Sequence, residues 1–265
     1  MPGPFTITPA QLSRLIGTPD CPALIDVRIA EDIAANPTLI PGARLIAHDQ
    51  IASATLAPGQ SAVIICHRGR KLSEGAAALL RCNGIRAEVL EGGSEGWRAA
   101  ALPAIPLSTL PQTALWVTRH RPKIDRIACP WLIRRFVNPA AQFLFVTPAE
   151  VPAVAEKFHA TPFDIEDVPF SHNGPNCTFD TMLDTFGLHT PTLDRLALVV
   201  RAADTDAHHL SPQAAGLLAI SVGLSRQYRD DLEQLTAALP LYDALYRWAR
   251  DGFDEGHDWP AGRPQ

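Results

Sequence analysis

The chain has no apolar run long enough to cross a membrane as a helix, and its opening, Met1-Pro2-Gly3-Pro4-Phe5-Thr6, has neither the basic region nor the apolar core of a secretory leader. A cytoplasmic protein without a membrane partner is the expectation. Positive charge is not in excess either: 23 Lys and Arg stand against 28 Asp and Glu, a formal net charge of −5. With no helix-turn-helix signature, no nucleic-acid partner is expected. The five cysteines, Cys21, Cys66, Cys82, Cys129 and Cys177, include no CxxC pair and are odd in number. That argues against a disulfide framework and for reduced thiols in a reducing compartment. No internal repeat or low-complexity tract is visible. The tryptophans Trp97, Trp116, Trp131, Trp248 and Trp259 are scattered and form no stacking platform.

What is present divides into two patterns. At 265 residues the chain can hold one large or two modest domains, each with its own core. The stretch Leu102-Pro103-Ala104-Ile105-Pro106-Leu107-Ser108-Thr109-Leu110-Pro111 disfavours helix and reads as a semi-rigid extended linker. The expected organisation is a first domain over 1–107, the end of a proline-rich linker at 108–114, and a second domain over 115–265. In the first, strands are expected at 24–27, 43–46, 62–66 and 87–90, with helices near 9–16, 72–82 and 94–101. This alternation predicts an α/β domain with a mainly parallel central sheet flanked by helices. The second opens with strands at 114–118 and 142–146. It then turns helical over 191–203, 211–228 and 230–252, with Thr190-Pro191 and Ser211-Pro212 as helix starts and Pro240 as a break or kink. A helix-rich mixed α+β domain is expected there.

One cysteine stands out. Cys66 ends the apolar run Ala62-Val63-Ile64-Ile65 and opens Cys66-His67-Arg68-Gly69-Arg70-Lys71, which leads into Leu72-Ser73-Glu74-Gly75 and an alanine-rich helix. A strand thus delivers a thiol to a glycine-containing loop, at the point where the next helix aims its positive N-terminal end. Such a loop stabilises a thiolate or a bound oxyanion. A phosphatase loop of the C-x5-R kind needs arginine six positions after its cysteine, and Leu72 stands there. Arg68, Arg70 and Lys71 still make the loop cationic, which favours a thiolate and attracts thiosulfate-like dianions, although not all three can point inward. A buried strand-end cysteine that acts as a small hydrophobe is the plainer reading.

From about residue 5 to about 105 the chain resembles the rhodanese sulfurtransferase family. Leu24-Ile25-Asp26-Val27-Arg28 is similar to its early strand, Pro41-Gly42-Ala43 to its PGA turn, and Glu91-Gly92-Gly93-Ser94-Glu95-Gly96-Trp97 to its closing segment, with the Cys66 loop between them. The resemblance implies that Cys66 takes sulfane sulfur from a small donor as a persulfide and passes it to a thiol or other nucleophilic acceptor. His67, Arg68, Gly69, Arg70 and Lys71, with Asp26 and Arg28, would surround the substrate. No cofactor is required for that transfer. A rhodanese-like module that binds without turnover is the alternative.

The second half carries Trp116-Val117-Thr118-Arg119-His120-Arg121-Pro122-Lys123-Ile124-Asp125-Arg126-Ile127-Ala128-Cys129-Pro130-Trp131. Further on come Ser171-His172-Asn173-Gly174-Pro175-Asn176-Cys177-Thr178-Phe179-Asp180, Arg201-Ala202-Ala203-Asp204-Thr205-Asp206 and Tyr242-Asp243-Ala244-Leu245-Tyr246. These stretches resemble the C-terminal domain of the chromate-resistance protein ChrB family, which implies a setting of chromate or oxyanion stress. A chromate sensor or binding protein, with metal as an option, is therefore the second expected function, with chromate among its ligands.

Two constellations in this half could carry chemistry. Arg119, Arg121, Lys123 and Arg126, with Arg134 and Arg135 beyond, face one acid, Asp125, and could attract a tetrahedral dianion. Alternatively, some of these arginines pair with Asp204, Asp206 or Asp230. His172 and Cys177, five apart across a Gly-Pro turn, could ligate iron or zinc with Asp180 or Asp204. Asp180 would otherwise cap a helix start, and Asp204 to His209 would be a loop between helices. Asp125 and Cys129, four apart, share a helix face, so Cys129 is either a second acceptor thiol or a core residue beside Trp131. The sequence leaves the oligomeric state open.

Overall fold

The structure, a computed structural model, describes residues 4–256; Met1 to Gly3 of the opening and Trp259 lie outside them. The first half runs β1 (Thr6–Ile7), α1 (Pro9–Leu15), β2 (Ala23–Asp26), α2 (Ala30–Ala35), β3 (Thr38–Leu39), β4 (Ala43–Leu45), β5 (Ala62–Ile65), α3 (Lys71–Cys82), β6 (Ala87–Leu90), α4 (Gly93–Ala99) and β7 (Ile105–Pro106). A five-stranded sheet in the order β1-β6-β5-β2-β4 is parallel throughout. The second half runs β8 (Leu115–Arg119), α5 (Asp125–Leu132), β9 (Gln142–Val146), α6 (Val151–Phe158), β10 (Thr161–Pro162), α7 (Thr178–Phe186), α8 (Pro191–Asp204), α9 (Ala214–Gln227) and α10 (Asp231–Arg247). Its sheet has three parallel strands in the order β10-β8-β9.

The apolar runs of β2 and β5 are continuous because both sheet faces are covered. Side chains alternate between the two: Ile25, Val27, Ile64 and Cys66 pack with Ala76, Ala77 and Leu80 of α3. Leu24, Val63 and Ile65 face the other way, toward Leu12, Trp97 and the apolar residues of the second half. Helix α1 begins in a reciprocal cap, with Thr8 Oγ1 accepting from Gln11 N at 3.1 Å and Gln11 Oε1 accepting from Thr8 N at 3.0 Å.

The proline-rich stretch is extended only as far as Pro106, where a 3-10 turn over Leu107–Thr109 replaces the expected extended chain, and it is not a free tether. Ile105–Pro106 pairs antiparallel with Thr38–Leu39, Ile105 is buried, and Trp97 Nε1 donates to Pro103 O at 2.8 Å. Other differences concern element ends. Helix α9 starts at Ala214 instead of Ser211, because Ser211 and Pro212 form a preceding turn in which Ala214 N donates to Ser211 O at 3.2 Å. Of the break or kink expected at Pro240, the break does not occur: α10 runs through it from Asp231 to Arg247 and widens into a π-turn over Trp248–Gly252.

The halves meet along a shared core. Gly17, with φ +84°, leaves room for the rings of Phe136 and Tyr246, Gly42 N donates to Phe136 O, and Arg250 Nη1 donates to Arg14 O at 2.7 Å. Among the described residues no helix is long and apolar enough to cross a membrane.

Candidate functional site

Cys66 follows β5 directly and lies at the carboxyl end of the sheet, where open parallel sheets place their ligands. Its side chain is 5% exposed and its Sγ lies 3.1 Å from Ser73 Oγ in the first turn of α3. Ser73 Oγ in turn donates to Arg70 O at 2.9 Å, so the hydroxyl hydrogen can serve either the loop carbonyl or the sulfur. The loop is held from the α4 side: Ser94 N donates to Cys66 O at 2.9 Å and Glu95 N to His67 O at 3.0 Å. Gly69 (φ +64°) and Gly93 (φ +57°) pass each other backbone to backbone. A Cβ on Gly93 would stand 2.1 Å from Cys66 O, and one on Gly69 would stand 2.3 Å from Leu90 O. The N–H groups of His67, Arg68, Gly69 and Arg70 donate to no acceptor among the described residues. Free donors beside a thiol at a helix N-terminus can accept an anion.

Around this cradle Arg68, Arg70 and Lys71 are exposed, without an ion pair among the described residues. Arg68 and Arg70 line a shallow depression with Gly92, Glu95 and Arg98. The expected substrate-side role of Asp26 and Arg28 does not fit their placement. They form an ion pair at 2.8 Å with both side chains 1% exposed, and Arg28 spends its other donors on Asn36 O and Thr38 O, at 2.9 and 2.6 Å. The pair ties β2 to the segment before β3 and presents no free charge to a ligand. Burial pushes Asp26 up, against the pull of Arg28.

A second polar cluster forms where α5, α7, α8 and the segment after β10 converge. His172 Nε2 lies 3.1 Å from Asp204 Oδ2, 3.4 Å from Asp164 Oδ1 and 3.5 Å from Asp125 Oδ2. Thr178, the first residue of α7, donates its N–H to Asp125 Oδ2 at 2.6 Å and its hydroxyl to Asp164 Oδ1 at 3.0 Å. Arg119 Nη2 and Arg126 Nε both reach Asp164 Oδ2, at 2.8 and 3.2 Å. Burial, followed by the nearby charges of Asp204 and Asp164, drives the Asp125 carboxyl well above its ordinary range. Burial opposes ionisation of Asp164 too, yet hydrogen bonds from His172 and Arg119 hold it low. Hydrogen bonding to Asp164 pushes His172 up to about 9.

With this geometry in place, comparison with known proteins is informative. The family model described as ChrB, C-terminal domain, matches residues 116–249, just over half of the chain. The chain belongs to this family. The family model of the rhodanese-like domain matches residues 8–100. Protein ChrB of Cupriavidus metallidurans is 32% identical over 132 residues, which are 49% of this chain and 39% of that protein. The chain therefore spans well under half the length of that relative. Solved structures similar to the first half include a rhodanese-like domain protein from Staphylococcus aureus, 29% identical over 35% of this chain and 90% of that one, with a TM-score of 0.32. Another is a thiosulfate sulfurtransferase from Pseudomonas aeruginosa, 28% identical over 39% of this chain and 19% of that one, also with a TM-score of 0.32.

In the ChrB C-terminal domain the expected site residues separate into groups. Arg119 and Arg126 come together, but on Asp164. Arg121 turns elsewhere, its N donating to Asp231 Oδ2 at 3.1 Å and its Nη2 to Ser225 O at 3.4 Å. Burial and the neighbouring Arg126, Arg121 and Arg226 hold the Lys123 amine low. The four cations thus form no single cradle. Their acid partners are also not those expected: Asp164 takes Arg119 and Arg126, and Asp243 takes Arg135 at 2.7 Å. Asp206 is exposed beside His208, and Asp230 caps α10.

Of the expected metal set, His172 and Asp204 meet, whereas the Cys177 thiol lies against the Asp125 carboxyl and makes no hydrogen bond with His172 among the described residues. Cys177 is fully buried at the start of α7, its N–H held by Asp180 Oδ2 at 3.0 Å, and burial pushes its thiol up. Asp180 is therefore the helix-capping residue that the plainer reading described, and it also pairs with Arg201 at 3.2 Å. Cys129 is fully buried too, a core residue presenting no thiol to an acceptor. Asp125, noted in the sequence as the lone acid of a basic run and as sharing a helix face with Cys129 but not as a member of this cluster, and Asp164, not noted at all, are the residues that sequence reasoning missed. No hydrogen bond or ion pair joins loop 66–71 to this cluster among the described residues.

Proposed function

We propose that the protein transfers sulfane sulfur through Cys66, in the chromate or oxyanion stress setting to which its ChrB C-terminal domain points. The observation that carries this reading is the Cys66 sulfur beside Ser73 Oγ, next to a loop whose N–H groups have no acceptor among the described residues. A Cys66 thiolate attacks the outer sulfur of thiosulfate. A Cys66 S–S bond forms, the donor's S–S bond breaks, and sulfite leaves with the electron pair. Loop N–H groups, with Arg68 and Arg70 at the rim, steady the departing oxyanion. An acceptor thiolate or cyanide then takes the outer sulfur and releases Cys66 as thiolate, so no external oxidant or reductant enters. Ser73 serves as a hydrogen-bond donor to the sulfur whenever it is anionic.

Purified protein incubated with thiosulfate is expected to gain one sulfur atom by intact-mass analysis and to form thiocyanate when cyanide is added, and Cys66→Ser is expected to do neither. Wild-type turnover no greater than that of Cys66→Ser would overturn the proposal. The competing possibility, oxyanion recognition without turnover, requires thiosulfate binding with no persulfide in the wild type.

A further inference from the structure

We infer that Asp125, Asp164 and His172, with Asp204 at the rim, form a binding site for a divalent first-row metal ion, distinct from Cys66 and independent of its chemistry. One potential ligand atom from each of Asp125, Asp164 and His172 lies within 4.8 Å of the others. His172 Nε2 approaches all three carboxylates at 3.1 to 3.5 Å. A single imidazole N–H cannot be shared well among three acceptors. Atoms bound to a common ion at about 2.1 Å, in contrast, stand roughly 3.0–3.4 Å from one another. The three distances from Nε2 come close to those of a coordination shell.

A second observation points to the same ligand. Asp125 is 1% exposed, and its Oδ1 accepts from no N–H or O–H group among the described residues, with only the weakly donating Cys177 thiol against the carboxyl. A buried carboxylate oxygen without a strong donor is costly to keep, and it belongs to the group that faces His172. Positive charge is unevenly placed as well: Arg119 and Arg126 converge on Asp164 Oδ2, whereas among the described residues the only ion pairs of Asp125 and Asp204 are with His172. A divalent cation in the gap satisfies the orphan oxygen and balances the two carboxylates.

The supports of such a site are also built. Thr178 fixes Asp125 and Asp164 through its N–H and hydroxyl, and the two arginines fix the far oxygen of Asp164, as outer groups orient metal ligands. His172 is 42% exposed on its side chain, which leaves a path for the ion and for bound water. Oxygen donors with one imidazole and no thiolate suit Mn2+ or Fe2+ better than a soft ion.

Mn2+ is the probe. Tag-free protein, stripped with chelator, is titrated with Mn2+ while the electron paramagnetic resonance signal of the free aqueous ion is followed. One ion per chain is expected to bind, with Zn2+ competing. Asp125→Asn and His172→Ala are each expected to weaken binding more than about tenfold. Asp184→Asn, an exposed acid on α7, and Cys66→Ser should bind as the wild type does. Circular dichroism checks folding, and the half-exposed His172 serves as the variant that leaves the buried Asp125 in place. A free-ion signal undiminished by wild-type protein, or binding equal in wild type and His172→Ala, would overturn the assignment.

Discussion

At the scale of single residues, two glycines of the rhodanese-like domain sit in opposite physical situations. Gly93 holds φ +57°, with a would-be Cβ 2.1 Å from Cys66 O and 2.5 Å from Gly69 N, both backbone atoms that cannot swing aside. Gly93→Ala is expected to cost more than about 2 kcal/mol and to abolish sulfur transfer. Gly75 lies within α3 with nothing inside 4 Å of a would-be Cβ. Gly75→Ala should therefore stabilise by about 0.5–1 kcal/mol, and paired thermal melts of the two variants check both signs. The Cys66 loop was legible because its strand, loop and helix are contiguous in the chain. Asp164 was not, because nothing near it in sequence announces a site; tertiary packing alone sets it against His172, at a φ of +53° that no glycine marks. Asp26 and Arg28 show the converse error, residues legible by motif whose charges are spent on one another.

Among elements, α7 and α8 are joined by a titratable bridge. His189 lies between Asp194 at 2.8 Å from Nδ1 and Asp184 at 2.8 Å from Nε2, linking the end of one helix to the start of the next. The hydrogen bond to Asp194 raises its pKa above the ordinary value of 6.5, against a smaller opposing effect of burial. The charged imidazolium is thus favoured by folding. Its stabilisation is present in full below the unfolded pKa and is lost as pH rises through the higher folded one. The melting-temperature gap between wild type and His189→Gln should accordingly be larger at about pH 6 than at about pH 9.

The long, strongly patterned elements matched the sequence reading, whereas the short α2 and α6 passed unread and α7 was read only as the helix start that Asp180 would cap. Pro240 leaves the helix unbroken for a physical reason. It is exposed and so is Thr236, four residues before it, so the carbonyl that loses its helical donor can bond water and α10 continues.

For the whole molecule, the decisive feature is the core that runs from Leu12 and Ile16 through Phe136 and Tyr246. Gly17→Ala places a methyl group 2.4 Å from an atom of the Phe136 ring, at a left-handed φ of +84°. A loss of at least about 1–2 kcal/mol is expected from the backbone alone. Because the apolar residues are shared, calorimetry should record one transition, shifted as a unit, and not two with only one displaced. A two-peaked scan would show that the halves unfold separately.

That common core also governs how the fusion can be taken apart. Cutting the gene near residue 105 would strip Leu12, Ile16 and Leu24 from their neighbours and leave an oily scar on each fragment, prone to self-association. Truncated forms would then report on aggregation instead of on the proposed sulfur and metal chemistry. Single substitutions in the intact chain are the cleaner scalpel.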